Sequence, residues 1–106
     1  MNQFSLSQVV VSEEGDRLYT FEYAALVTQT STVLIERFAT LGLISPINSM
    51  LRSRDIARIA QILRLRRDLG LNLVGAAMVL DMAEEIAQLR AQLQVYKSRQ
   101  SLVRFV

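Results

Sequence analysis

Residues 20–42 read TFEYAALVTQTSTVLIERFATLG, and the polar run at the centre decides the fold. Thr28, Gln29, Thr30, Ser31 and Thr32 interrupt two stretches of helical apolar spacing. Hydroxyl and amide side chains satisfy the free N–H groups at a helix start, so this run is a turn with several candidate N-caps. Before it, Thr20 is placed to cap a short helix whose apolar positions are Phe21, Ala24, Ala25 and either Leu26 or Val27. After it, Val33, Leu34, Phe38 and Leu41 space a second helix, and Gly42 stops it. Two short helices joined by a tight polar turn form a helix-turn-helix pattern.

On the N-terminal side, residues 6–21 read as a β hairpin. Val9, Val10 and Val11 are β-branched, Glu13-Glu14-Gly15-Asp16 has turn chemistry, and Leu18-Tyr19-Thr20-Phe21 resumes a strand. On the C-terminal side, Leu43-Ile44-Ser45-Pro46 leaves the helical unit, and Met50-Leu51-Arg52 is a short extended segment. Ser53 is the expected cap of a third helix, with Asp55 in its first turn and Ile56, Ile59, Leu63 and Leu69 as its apolar stripe. Arg66 and Arg67 lie near its negative end, and Gly70 closes it.

Asn72 caps a last helix that no proline or glycine breaks after Gly75, so it runs to about residue 100. At 1.5 Å per residue it is on the order of 40 Å long, more than the ~30 Å width of a domain this size, so its far half should project. Val79, Met82, Ile86, Leu89, Leu93 and Tyr96 are spaced 3, 4, 3, 4 and 3 along it, a coiled-coil seam. Burying each leucine or isoleucine is worth roughly 1.5–3 kcal/mol, which favours a partner helix and hence a homodimer through these six residues.

Composition narrows the function. The 106 residues suffice for one domain with one core, and apolar residues are 51% of them. The chain has no cysteine and no histidine. Disulfides, thiolate or imidazole metal sites, and catalysis by a Cys nucleophile or His base are thereby excluded. Glu84 and Glu85 are not a catalytic carboxylate pair, because helical neighbours point about 100° apart. No catalytic residue, metal or cofactor is expected. The longest apolar stretch, Leu69 to Leu80, is too short for a bilayer, and the start of the chain is not a basic-then-apolar leader, so a cytoplasmic location is expected. The net charge of +2 is uneven. Up to Leu51 there are five acids and two bases; from Arg52 there are five acids and ten bases. A basic half is compatible with nucleic acid, but it is more often a solvated helix face.

The order of these elements resembles MerR-type regulators: helix-turn-helix, connection, third helix, long dimerising helix. Leu41-Gly42-Leu43-Ile44-Ser45-Pro46 is similar to their GLL-x-P signature, and Ser53-Arg54-Asp55-Ile56 and Leu63–Gly70 to the entry and exit of their third helix. The CbpM branch is closer still. Arg64-Leu65-Arg66-Arg67-Asp68-Leu69 looks like its RLR-x-(D/E)-L segment, followed by the apolar run Leu73–Leu80 and the acidic step Glu84-Glu85-Ile86. The tail Leu102-Val103-Arg104-Phe105 also looks CbpM-like, and the resemblance spans about residues 18–106. It implies a mainly α, MerR-like winged helix-turn-helix fold in a single domain, with a small N-terminal hairpin and a dimerisation helix over about residues 72–100.

The CbpM resemblance implies a chaperone modulator that binds the J domain of a DnaJ- or CbpA-type co-chaperone and prevents it from stimulating DnaK. A J domain offers a basic helix, so an inhibitor should present acids around an apolar patch. Two acidic sets are candidates: Glu22 and Glu36 on the helix-turn-helix unit, and Asp81, Glu84 and Glu85 on the long helix. The alternative is a MerR-like DNA-binding regulator lacking an effector domain. Against it, DNA-binding relatives carry an arginine where this chain has Glu36, and a carboxylate there repels phosphate. The connection from Pro46 to Asp55 is also short for their wing, and its Gly-Tyr-Arg is absent. Residual DNA contact would fall to Arg52, Arg54 and Arg58; specific nucleic acid binding is not expected.

Overall fold

A computed structural model describes residues 10–12 and 15–104 of the chain. The short strands β1 (Val10–Val11) and β2 (Arg17–Tyr19) precede helices α1 (Phe21–Thr28) and α2 (Thr32–Thr40). Strand β3 (Leu51–Arg52), helix α3 (Ser53–Leu69) and helix α4 (Leu73–Arg104) follow. The fold is mainly helical, as expected. The hairpin pairs Val10 with Leu18 and Val11 with Arg17; Glu13 and Glu14 of its expected turn, and all residues before Val10, lie outside the described residues.

The helix ends follow local chemistry. The Thr20 hydroxyl accepts the Tyr23 N–H at 3.0 Å and Ser31 accepts the Leu34 N–H at 3.2 Å, so Ser31 is the cap among the candidates in the turn. Between the helices, Gln29 takes a left-handed conformation with φ of 58°. The Thr28 hydroxyl donates to the Ala24 carbonyl at 2.7 Å and lies 2.8 Å from the Thr30 hydroxyl, which draws the turn tight. The start of α3 differs from expectation. Ser53 is its first residue, and the cap position belongs to Arg52. An arginine side chain has no acceptor, so the bond comes from the other direction: the Asp55 carboxylate accepts the Arg52 backbone N–H at 3.0 Å. Gly70, with φ of 69°, ends α3, and Asn72 caps α4 by accepting the Gly75 N–H at 2.7 Å.

The core sits where α1, α2, α3 and the first two turns of α4 converge. Phe38, Ile35, Leu51, Ile59 and Ile62 are fully buried, with Ala24, Ala25, Ile56, Ala76 and Ala77 packed among them. This corrects the phase of two helices. In α2 the inward residues are Ile35 and Phe38, while Val33 faces solvent at 72% exposure. In α3 Ile62 takes the place expected for Leu63, which is half-buried, and Leu69 is exposed. Strand β3 pairs with the far edge of β2, Leu18 opposite Arg52 and Tyr19 opposite Leu51, making a three-stranded antiparallel sheet. The sheet closes one side of the core through Leu18 and Leu51.

Helix α4 leaves this body. Its last buried side chain is Leu80, and Asp81 through Leu102 are exposed throughout. Twenty-two helical residues without cover extend about 33 Å. The radius of gyration is 18.4 Å, against about 13 Å for a compact chain of this length. The far half of α4 therefore projects, and the expected seam residues Met82, Ile86, Leu89, Leu93 and Tyr96 lie on it, each 50–59% exposed. Val79, the first of the six, is half-buried at the edge of the body.

Candidate functional site

The helix-turn-helix unit brings the first acidic set together. Glu22 in the first turn of α1 and Glu36 in the middle of α2 line one open groove of about 370 Å³, with Thr20, Phe21, Thr32 and Ser49. Both carboxylates face solvent, and neither makes an ion pair among the described residues. Ser49 reaches the groove from a tight turn in which Asn48 and Ser49 have φ of 51° and 62°. That turn is held by reciprocal backbone bonds between Ile47 and Met50 at 2.8 and 2.9 Å.

Beside the acids lies an apolar surface that periodicity alone did not reveal. Leu26 is 67% exposed and Val27 51%, although either was expected to complete the buried face of α1. Leu26 stands four residues after Glu22, on the same helical face, and Val33 stands three before Glu36. Each acid therefore has a solvent-facing aliphatic neighbour along its helix. The signal was present in the sequence as two apolar residues too many for an eight-residue helix, one of whose faces Ala24 and Ala25 already fill.

The second acidic set lies along one face of α4, and one of its members is paired. Asp81 is held by Arg58, whose Nη1 donates to Oδ1 at 2.7 Å and Nη2 to Oδ2 at 3.4 Å. The same guanidinium donates through Nε to the Leu43 carbonyl at 2.7 Å. Arg58 thus ties the end of the helix-turn-helix unit, α3 and α4 to one another. Glu84 and Glu85 are exposed on the projecting part of α4, beyond the last buried side chain.

The basic residues tell the same story from the other side. Arg52 donates through Nε to the buried Asp55 at 3.1 Å and through Nη2 to the Ser45 carbonyl at 3.0 Å. Of the three arginines that could have touched phosphate, Arg52 and Arg58 are spent inside the fold, and Arg54 alone is exposed. Arg37, on α2, is exposed as well and makes no ion pair among the described residues. Among the described residues no helix is long and apolar enough to cross a membrane.

The profile of the MerR HTH family regulatory proteins matches residues 21–98. That range runs from the first residue of α1 to the distal turns of α4. A Streptomyces coelicolor protein that carries the name heat shock protein HspR is similar to this chain, 27% identical over 84 residues. The match covers 74% of this chain and 56% of the relative, so the chain spans little more than half the length of the curated relative it matches. No solved structure matches the chain. The match over both helix-turn-helix helices, α3 and most of α4 agrees with the architecture described above, and the chain belongs to the MerR helix-turn-helix family of regulatory proteins.

Proposed function

We propose that this chain is a non-enzymatic chaperone modulator of the CbpM type, which binds the J domain of a DnaJ- or CbpA-type co-chaperone and keeps it from stimulating DnaK. The observation that carries the reading is the joint exposure of Glu22 and Glu36 on one groove with Leu26 and Val33 on the same helical faces. An acidic groove bordered by aliphatic side chains fits a basic amphipathic helix: charge steers the encounter and apolar contact holds the complex. The heat shock name of the relative is in keeping with a chaperone setting, and the reading places the protein in the cytoplasm.

The protein acts as a homodimer through the projecting half of α4, whose seam has no cover within the chain. Its charges favour an antiparallel pair. Glu84 and Glu85 lie near the body, and Arg90, Lys97 and Arg99 lie toward the far end. Antiparallel helices set acids opposite bases, and parallel ones set like against like. A transcription regulator is the second reading, and it rests on the regulatory family to which the chain belongs. Its phosphate contacts would fall to exposed arginines such as Arg37 and Arg54, since Arg52 and Arg58 are engaged within the fold.

The test is a titration of labelled J domain with the wild-type protein and with Glu22→Lys/Glu36→Lys, at two salt concentrations. The double reversal should weaken binding by roughly tenfold or more, chiefly through slower association at low salt. A J domain that fails to bind the intact protein defeats the functional assignment. A sequence-specific footprint on duplex DNA at physiological salt, with nanomolar affinity, selects the second reading.

A further inference from the structure

A second groove lies on the opposite flank of α2. Its volume is about 410 Å³, within the range of sites that take small ligands or short peptide segments. Leu34, Arg37 and Leu41 form one wall, following each other at i, i+3 and i+7 along and just past α2. Arg66 forms the other wall, and Leu73 and Val74 close it at the start of α4. Arg37 and Arg66 each stand in the last turn of a helix, where the negative end of the macrodipole favours a cation. Both are exposed, and neither makes an ion pair among the described residues. Leu41 and Val74 leave 40% and 43% of their surface open between them.

We infer that this groove docks an acidic peptide segment of a partner protein, its carboxylates received by Arg37 and Arg66 and an apolar side chain seated among Leu34, Leu41 and Val74. Charge complementarity selects the occupant. Two guanidiniums on either side of an aliphatic floor match a segment in which acidic and apolar residues alternate, and a guanidinium can hold a carboxylate through two parallel bonds. A duplex would offer phosphate to the arginines and leave the aliphatic floor unmatched. A basic or neutral peptide would leave both guanidiniums without counter-charge. The inference is independent of the J-domain reading, since Glu22 and Glu36 line the other groove.

The probe is a fluorescein-labelled peptide in which leucines alternate with aspartates, titrated with the full chain and followed by fluorescence anisotropy. Its counterpart carries asparagine at every aspartate. Saturable binding is expected, at least tenfold weaker for the asparagine peptide and for each of Arg37→Glu and Arg66→Glu. Arg64→Glu, an exposed change on α3 away from the groove lining, should leave it unaltered. Should a charge reversal reduce helicity by circular dichroism, Arg37→Gln and Arg66→Gln supply the same comparison. Val74→Lys should weaken binding of the aspartate peptide by blocking the floor while adding positive charge, an effect that mere ion exchange would reverse. Equal binding of the two peptides, or affinity indifferent to Arg37 and Arg66, overturns the proposal. So does displacement of the peptide by a random duplex whose own binding depends on both arginines, or self-association that Arg37→Glu and Arg66→Glu abolish.

Discussion

Replacing Leu89 and Leu93 by glutamate tests whether the projecting helix is a dimer seam. Each leucine leaves about half of its surface exposed, 56% and 50%. Complete burial of a leucine is worth about 1.5–3 kcal/mol, so covering the open half contributes about 1 kcal/mol per residue. A two-fold interface uses both positions in both copies, so the double substitution removes about 4 kcal/mol of association free energy. That corresponds to roughly a thousandfold in dissociation constant, before the cost of placing carboxylates against an apolar face. Neither leucine touches the core, which ends at Leu80, so the helix-turn-helix body should keep its fold. Sedimentation velocity over a range of micromolar concentrations reads the result: a dimer for the native sequence, and a helical monomer for the variant. A variant that sediments as the native dimer would place the interface elsewhere and refute the reasoning. A native protein that stays monomeric throughout that range would do the same.

Two further outcomes test the internal contacts. Asp55, 6% exposed, caps α3 and pairs with Arg52, so Asp55→Ala strands a half-buried guanidinium and an N–H. The loss should be about 3 kcal/mol in urea unfolding at fixed protein concentration, or roughly 12–24 °C in melting temperature; a loss below about 1 kcal/mol would show that water replaces the carboxylate. Asp81 is more exposed, so its pair with Arg58 is worth only about 0.5–1 kcal/mol, to be read as the coupling in a double-mutant cycle of Arg58→Ala and Asp81→Ala. Arg58→Ala alone should cost more than Asp81→Ala, since it also strips the Leu43 carbonyl of its donor, and equal costs would contradict that bond.

Much of the fold was legible in local chemistry. Thr20, Gly42, Gly70 and Asn72 end their helices where side-chain type alone placed the boundaries, because a cap acts within three or four residues of itself. The projection of α4 was legible because no proline or glycine follows Gly75, so the helix outruns the body. In α1 and α2 periodicity placed Ala24, Ala25 and Phe38 correctly but did not decide which of Leu26, Val27, Val33 and Ile35 turn inward. Helices of eight and nine residues make little more than two turns, and each carries apolar residues on more than one side. Either phase fits the pattern, and only the packing chooses Ile35 over Val33 and leaves Leu26 outside.

The candidate site divides along the same line. Sequence by itself determined the helical class, the order of elements and the absence of histidine and cysteine. Tertiary structure decided which charges remain available. Glu22 and Glu36 share a groove although fourteen positions apart, while Asp81, grouped with Glu84 and Glu85 by proximity in the chain, is claimed by Arg58 from another helix. Arg52 and Arg58 count toward a basic half in the sequence and are consumed by Asp55, Asp81 and two backbone carbonyls in the fold. Capping and periodicity act over one or two turns and can be read along the chain. The pairing of a charge depends on which distant segment packs beside it, and that is settled only when the core closes.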